Sequence, residues 1–255
     1  MIENIWEGIY DSFDQCPGYG QGFNSDRWAL QETARINKLI QPAKDDKAIP
    51  SIVSYRTNLL PFLTATTAAN SKENKVTILD FGGGLGSTYI SVTAACANQQ
   101  TIDYHIVESK SICQAGEKCF KDDRQIHFYD HLPDEIQDVD IVCLASSIQY
   151  VEDWKSLLKE LMKYDPRYIL IADLPGGDIP TYATSQNYYE SKIPHWFFSV
   201  TEVIDTMLSM NLNLLFHSSY DGTYLGVEQP MPQDNFPPEY QVGKSCNLLF
   251  SRKEK

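Results

Sequence analysis

The chain is short of positive charge. It carries 21 Lys and Arg against 34 Asp and Glu, for a formal net charge of -13, and its basic residues are scattered. Nucleic acid and anionic membrane surfaces need concentrated basic residues, so neither is expected as a partner. No apolar run approaches the roughly 18 residues of a membrane-spanning helix. Residues 1–7 have neither the basic start nor the apolar core of a signal peptide, so a cytoplasmic protein is expected. The six cysteines form no Cys-x-x-Cys pair, and buried free thiols are expected in place of disulfides or zinc ligands. The acidic strand ends are spread through the sequence, and no metal site is expected. Internal repeats and long low-complexity segments are absent. One glycine is also missing: a dinucleotide fingerprint begun at Gly82 requires glycine at position 87, where Ser87 stands.

What is present centres on residues 76–87. Val76, Ile78 and Leu79 read as a short buried strand with Asp80 at its carboxyl end. Gly82, Gly83, Gly84 and Gly86 make a turn too tight for side chains, and a helix opens at Ser87. Strand, glycine turn and helix amino end together form a nucleotide-binding device, because the missing side chains let backbone approach a ligand.

From there strands and helices alternate. Thr101-Ile-Asp-Tyr-His-Ile-Val-Glu108 reads as a second strand, and its terminal carboxylate lies 22 residues after Gly86. That offset suits an acceptor of both ribose hydroxyls of a nucleoside. A helix over 109–120 precedes a third strand, 125–131, which ends at Asp130 and His131. Residues 139–145 are almost continuously apolar, as a central parallel strand buried on both faces should be. Ser146, Ser147, Gln149 and Tyr150 then emerge at its carboxyl end, the edge where open α/β sheets bind ligands. A fifth strand, 168–174, contains Asp173 and leads into a long insertion, 175–198, of a length that is usually functional. Ser199-Val-Thr-Glu202 is a capping box. Segments 213–219 and 246–251 have no helix between them and are expected to pair antiparallel.

Residues 1–75 do not follow this alternation. Trp6-Glu-Gly-Ile-Tyr10 and Gly18-Tyr-Gly-Gln-Gly-Phe23 are expected to be irregular. A helix capped by Asn24 or Ser25 carries Trp28, Ile36, Leu39 and Ile40 and is expected to end at Pro42. A second helical run has Ile52, Tyr55, Leu59 and Leu63. The division expected is an amino-terminal cap, 1–75, and a nucleoside-binding domain, 76–255. The cap aromatics either pack onto the main domain or, as Trp6, Tyr10, Tyr19 and Tyr55, partly line a substrate pocket.

The pattern Asp80-x-Gly-x-Gly-x-Gly86 resembles motif I of the class I S-adenosylmethionine-dependent methyltransferases, and the resemblance extends over residues 76–251. It implies an α/β, Rossmann-like sheet, mostly parallel with its last strand antiparallel, behind a helical amino-terminal extension. S-adenosylmethionine is the cofactor implied. The residues implied for it are Asp80, Gly82, Gly83, Gly84, Gly86 and Glu108, with Asp130 and His131 near the adenine and Ser146 beyond the fourth strand. Asp80 suits fixing the turn or meeting the methionine amino group more than acid–base work. Trp6-Glu-Gly-Ile-Tyr10, Ser146-Ser-Ile-Gln-Tyr-Val151 and Pro194-His-Trp-Phe-Phe198 also look like a narrower methyltransferase group whose context is bacterial surface-polysaccharide biosynthesis.

The expected activity is therefore methyl transfer, to oxygen or nitrogen, on a small-molecule or sugar-containing acceptor. His195 is the candidate general base, beside Trp196 and Phe197. Tyr150 and Asp173 are alternatives at the same sheet edge. A non-catalytic nucleoside-binding protein and a nicotinamide-dependent oxidoreductase are the competing readings, the second disfavoured by Ser87 and by the antiparallel close. The sequence leaves oligomeric state open.

Overall fold

The computed structural model describes residues 4–24, 26–44, 59–71, 75–96, 102–224 and 226–253. The chain forms two compact units. One comprises Phe23–Ala145 and Tyr164–Leu170; the other comprises Met1–Gly22, Ser146–Lys163 and Ile171–Lys255. Its strands are β1 (Trp6–Tyr10), β2 (Val76–Phe81), β3 (Ile102–Val107), β4 (Ile126–Tyr129), β5 (Ile141–Ala145), β6 (Tyr168–Leu174), β7 (Gly176–Gly177), β8 (Tyr182–Tyr188), β9 (Ser191–Ser199), β10 (Leu212–Tyr220), β11 (Gly222–Tyr224), β12 (Val227–Gln229) and β13 (Ser245–Arg252). Its α-helices are α1 (Asp26–Lys44), α2 (Leu59–Ala69), α3 (Ser87–Ala95), α4 (Lys110–Cys119), α5 (Trp154–Leu161) and α6 (Val200–Ser209).

The main sheet has seven strands in the order β10-β13-β6-β5-β2-β3-β4. It is parallel except for β13, the last strand, which pairs antiparallel with β10. From β2 the chain moves outward through β3 to β4, then returns to build the other side from β5. The order therefore reverses between β2 and β5, and such a switch point opens a crevice at the strands' carboxyl ends. β2 and β5 are paired in register at Asp80 and Cys143.

In the first unit, burial follows strand chemistry. Ile78, Leu79, Tyr104, Ile106, Ile141 and Leu144 are fully buried, as apolar residues of a parallel sheet covered on both faces should be. Tyr89 fits edge-on between Tyr104 and Phe120 and donates its hydroxyl to Asp123 at 2.7 Å. Helix α1 buries Ile36 and Leu39 as its spacing requires. It runs through Pro42 to Lys44 and does not stop at the proline; a proline in the last turn sacrifices few of the helix's hydrogen bonds. Ile52 and Tyr55 of the second expected run lie outside the described residues.

The second unit holds the main departure from expectation. Trp6–Tyr10 is not irregular: it is a strand paired antiparallel with β8, with a bulge between Glu7 and Tyr10. The long insertion is a β8–β9 hairpin, and together they form a four-stranded sheet in the order β1-β8-β9-β7. Its core joins Trp6, Ile179, Tyr182, Phe197, Met231 and Phe236. The Lys192 ammonium and the Asn187 amide both donate to Glu7, at 2.6 and 2.8 Å, so β1 is held to the hairpin by side chains as well as backbone. The Gln233 side chain donates to the Tyr182 hydroxyl at 3.0 Å and accepts from the Val242 amide at 2.7 Å. Ser199 caps α6 by accepting from the Glu202 amide. All six cysteines are free thiols, and no described helix is long and apolar enough to cross a membrane.

Phe197 has no exposed surface and contacts Trp6, Tyr182 and His195. Phe197→Ala should cost about 3–5 kcal/mol in denaturant unfolding, whereas Tyr19→Ala should change stability by about 0.5 kcal/mol or less; Tyr19 is 63% exposed.

Candidate functional site

The first unit carries the glycine turn at the carboxyl end of β2. Gly82, Gly84 and Gly86 all have left-handed φ, at 73°, 57° and 82°, a region costly for side chains with a Cβ. The Gly82 amide donates to the Val107 carbonyl at 2.9 Å, tying the turn to the end of β3. Gly83 is needed for a different reason: a Cβ there would sit 2.5 Å from Asp80 Oδ2. Beyond Gly84 there is open space. Gly86 caps α3 without a side chain, so the first-turn amides of that helix have no side-chain acceptor from their cap.

Asp80 lies beneath this turn, 1% exposed. Its Oδ2 accepts from the Tyr104 hydroxyl at 2.6 Å, while Oδ1 has no hydrogen-bond partner. Burial raises its pKa to about 6, opposed by the Tyr104 hydrogen bond and assisted by the nearby Glu108 charge. Glu108 follows β3 and is half-buried. Burial raises its pKa, while hydrogen bonds from the backbone of Ser109 and Gly84 favour its charged form; the Ser109 contact is 2.7 Å. The structure therefore brings Asp80, the four glycines and Glu108 into one cluster. Asp130 and His131 follow β4 as an exposed pair, 2.8 Å apart, and that bond holds the Asp130 carboxyl below its ordinary range.

Ser146, Tyr150, Asp173 and His195 fall in the second unit. Ser146 and Asp173 both adopt left-handed φ, 52° and 54°, a strain of about 1–3 kcal/mol each that tends to gather at functional sites. The Ser146 hydroxyl donates to one Asp173 oxygen and the Tyr220 hydroxyl to the other. The Asp173 amide in turn donates to Asn247 at 3.0 Å. Each Asp173 oxygen thus accepts from one protein hydroxyl.

His195 is 2% exposed on β9, with ring centroids 5.8 Å from Trp6, 4.9 Å from Phe197 and 5.3 Å from Tyr150. Burial lowers its pKa to about 3, so the ring is neutral. Tyr150 donates to Gln186 at 2.9 Å, and burial raises its pKa. The Trp196 indole donates to the Val151 carbonyl at 3.1 Å, anchoring β9 beside residues 147–151. Buried atoms without partners also gather on these segments: His195 Nδ1, Trp6 Nε1, Gln149 Oε1 and Ser147 Oγ. Of the aromatics considered for a pocket, Trp6 stands beside His195, Tyr19 is exposed and Tyr55 lies outside the described residues.

One grouping of possible metal ligands was not anticipated from the sequence. Asp103, His105 and His127 place one ligand atom each within 4.8 Å of one another. The sequence signal available was slight: Asp103 and His105 alternate on one strand face, and the third member comes from the neighbouring strand. Burial lowers the His105 pKa to about 4.

No protein-family model matches the chain, and no curated protein matches it in sequence. Solved structures do match. A candidate S-adenosylmethionine-dependent methyltransferase of Listeria monocytogenes aligns with a TM-score of 0.52 at 11% identity, covering 75% of this chain and 98% of that one. Magnesium protoporphyrin IX methyltransferase of Synechocystis PCC 6803, with bound S-adenosylmethionine, aligns at 0.51 and 11% identity, covering 91% and 93%. A candidate methyltransferase of Haloferax volcanii, in complex with the activator Trm112, aligns at 0.50 and 14% identity, covering 89% and 96%. This chain has the Rossmann-like fold of those proteins.

The Asp80 pKa gives a pH dependence of known sign. A folded value of about 6 against an ordinary 3.8 means that folding favours the neutral acid. That contribution is complete below about pH 4 and is lost as pH rises through 6, to the extent of about 2–3 kcal/mol. In urea unfolding from pH 4 to 7, wild type should lose about that much stability relative to Asp80→Asn. A difference that stays flat with pH would show Asp80 to be unperturbed.

Proposed function

We propose that this chain is an S-adenosylmethionine-dependent methyltransferase acting on a small-molecule or sugar-containing acceptor. The observation that carries this reading is the cluster of Asp80, the left-handed glycines and Glu108 at the carboxyl ends of β2 and β3, beside the sheet's switch point. The residues fit the cofactor. Open space beyond Gly84 admits a ligand against bare backbone. Glu108 offers carboxylate lone pairs to a ribose. The unpartnered Oδ1 of Asp80 is a buried acceptor for a donor such as the methionine ammonium. In this reading Asp130 and His131 meet the adenine edge, and Ser146 contributes from beyond β5.

When bound, S-adenosylmethionine supplies a methyl group already activated by its sulfonium. What remains for the chain is alignment and exclusion of water, which in favourable cases removes about 7–11 kcal/mol of a barrier. His195 and Tyr150 are assigned to the acceptor. A neutral His195 among aromatic rings accepts a hydrogen bond readily but is a weak proton acceptor at pH 7, since its pKa is about 3. It therefore suits orienting a nucleophile more than deprotonating an alcohol. With both Asp173 oxygens engaged, this arrangement favours acceptors whose nucleophile is neutral nitrogen or an already ionised oxygen. The sugar-containing class is supported by the aromatic faces of Trp6, Tyr150 and His195 and by the unpartnered buried atoms Trp6 Nε1 and His195 Nδ1. A role in bacterial surface-polysaccharide biosynthesis rests on the sequence resemblance alone. The free thiols accord with a cytoplasmic setting.

Calorimetric titration of S-adenosylhomocysteine tests the reading. Wild type should bind with micromolar affinity, and Glu108→Ala should weaken binding by at least about tenfold, the value of losing hydrogen bonds to a charged acceptor. A folded protein that does not bind would leave the glycine turn as architecture and overturn the proposal.

A further inference from the structure

Strands β3 and β4 lie parallel with His105 directly opposite His127. Asp103 precedes His105 by two residues and so shares its sheet face. The two imidazoles are stacked, with centroids 4.9 Å apart and planes inclined by 19°. Asp103 Oδ1 is 3.0 Å from His105 Nε2 and 3.2 Å from His127 Nε2. The other Asp103 oxygen faces away, 3.2 Å from the Lys75 ammonium.

His105 is 6% exposed, and its Nε2 faces Asp103 Oδ1 from within the cluster. Its other nitrogen, Nδ1, is 3.2 Å from the Tyr129 hydroxyl. With an ion bound, a proton on Nδ1, donated to that oxygen, would leave the Nε2 lone pair for the ion. An outer hydrogen bond of this kind fixes the tautomer and orientation of histidines that bind metals. A buried ring nitrogen, a second imidazole nitrogen and a carboxylate oxygen thus lie within 4.8 Å of one another.

We propose that Asp103, His105 and His127 bind a divalent transition-metal ion, Zn²⁺ by the character of the donors. Two imidazoles and one carboxylate suit this borderline cation, whereas Mg²⁺ and Ca²⁺ take oxygen ligands. Zinc bonds of about 2.0–2.2 Å set tetrahedral ligand atoms about 3.3–3.5 Å apart. The observed Asp–His distances of 3.0 and 3.2 Å are within a few tenths of an ångström of that spacing, and the two stacked rings would turn to aim both nitrogens at the ion. The His127 side chain is 40% exposed, which leaves the remaining coordination position to water. The ion clamps β4, the four-residue strand at one edge of the main sheet, onto β3, and edge strands need such protection against unwanted pairing. The site spans residues 103–105 of β3, about 10–16 Å along the strand from Glu108 at the rise of an extended chain. It is separate from the glycine turn and does not depend on the function proposed above.

The test uses tag-free, chelator-treated full-length protein titrated with ZnCl₂ by calorimetry, with Co²⁺ as a visible-absorption probe. One equivalent of Zn²⁺ should bind and raise the melting temperature. His127→Ala, His127→Gln and Asp103→Asn should each weaken binding by at least about tenfold, with folding checked by circular dichroism. His217→Ala, at an exposed position on β10, should bind as wild type does. Absence of binding by the folded protein, or binding indifferent to the His127 and Asp103 substitutions, would overturn the proposal.

Discussion

The path of the backbone over the Asp80 carboxylate is the constraint on which the carboxyl end of β2 depends. A Cβ at position 83 would lie 2.5 Å from Oδ2, so the turn closes over the acid only because residue 83 is glycine. The same oxygen accepts from Tyr104, which is buried in the adjacent strand and packs edge-on against Tyr89 of α3. One buried carboxylate therefore joins the strand before the turn, the neighbouring strand and the helix after it. Its desolvation penalty is reduced by taking a proton, which is why its pKa rises.

Much of the first unit was legible from sequence because its signals are local. The continuous apolar run of β5, the apolar Val76, Ile78 and Leu79 of β2, the Gly82 to Gly86 punctuation and the carboxylate at Glu108 each report on structure within a few residues. The second unit hides its organisation. Gly8 takes φ of 81° at the bulged strand Trp6–Tyr10, which breaks the alternation by which a strand is recognised. In β8, Thr184 and Ser185 have no exposed surface, yet both are polar and read as loop. They are tolerated because their hydroxyls donate to backbone carbonyls of Gly8 and Pro17, at 2.7 and 2.8 Å. Those partners are distant in sequence, so the compensation that makes a polar strand stable is invisible until the chain is folded.

The Asp103, His105 and His127 cluster was missed for a related reason. A metal motif on one helix or hairpin has a characteristic spacing, but here the third ligand is set by the register of a parallel pair. The connection between β3 and β4 includes α4, and its length has no bearing on which residues end opposite each other. Only pairing of His105 with His127 creates the grouping.

The two halves of the candidate chemistry obey different electrostatic rules. Around the glycine turn, backbone amides and a tyrosine hydroxyl face carboxylates, an arrangement that receives donors and positive charge. Around His195, burial among aromatic rings disfavours ionisation, leaving a neutral imidazole. A site of the second kind gains little by forming an imidazolium, because the surroundings that hold the ring in place also penalise its charge. Its unpartnered atoms are costly while unpaired and are repaid when a ligand supplies the missing hydrogen bonds. Selectivity would then come from matching those atoms: a ligand lacking the right groups would leave buried donors and acceptors unsatisfied and bind weakly. In the function proposed above, His195 would on this argument contribute to the choice of acceptor more than to the movement of its proton.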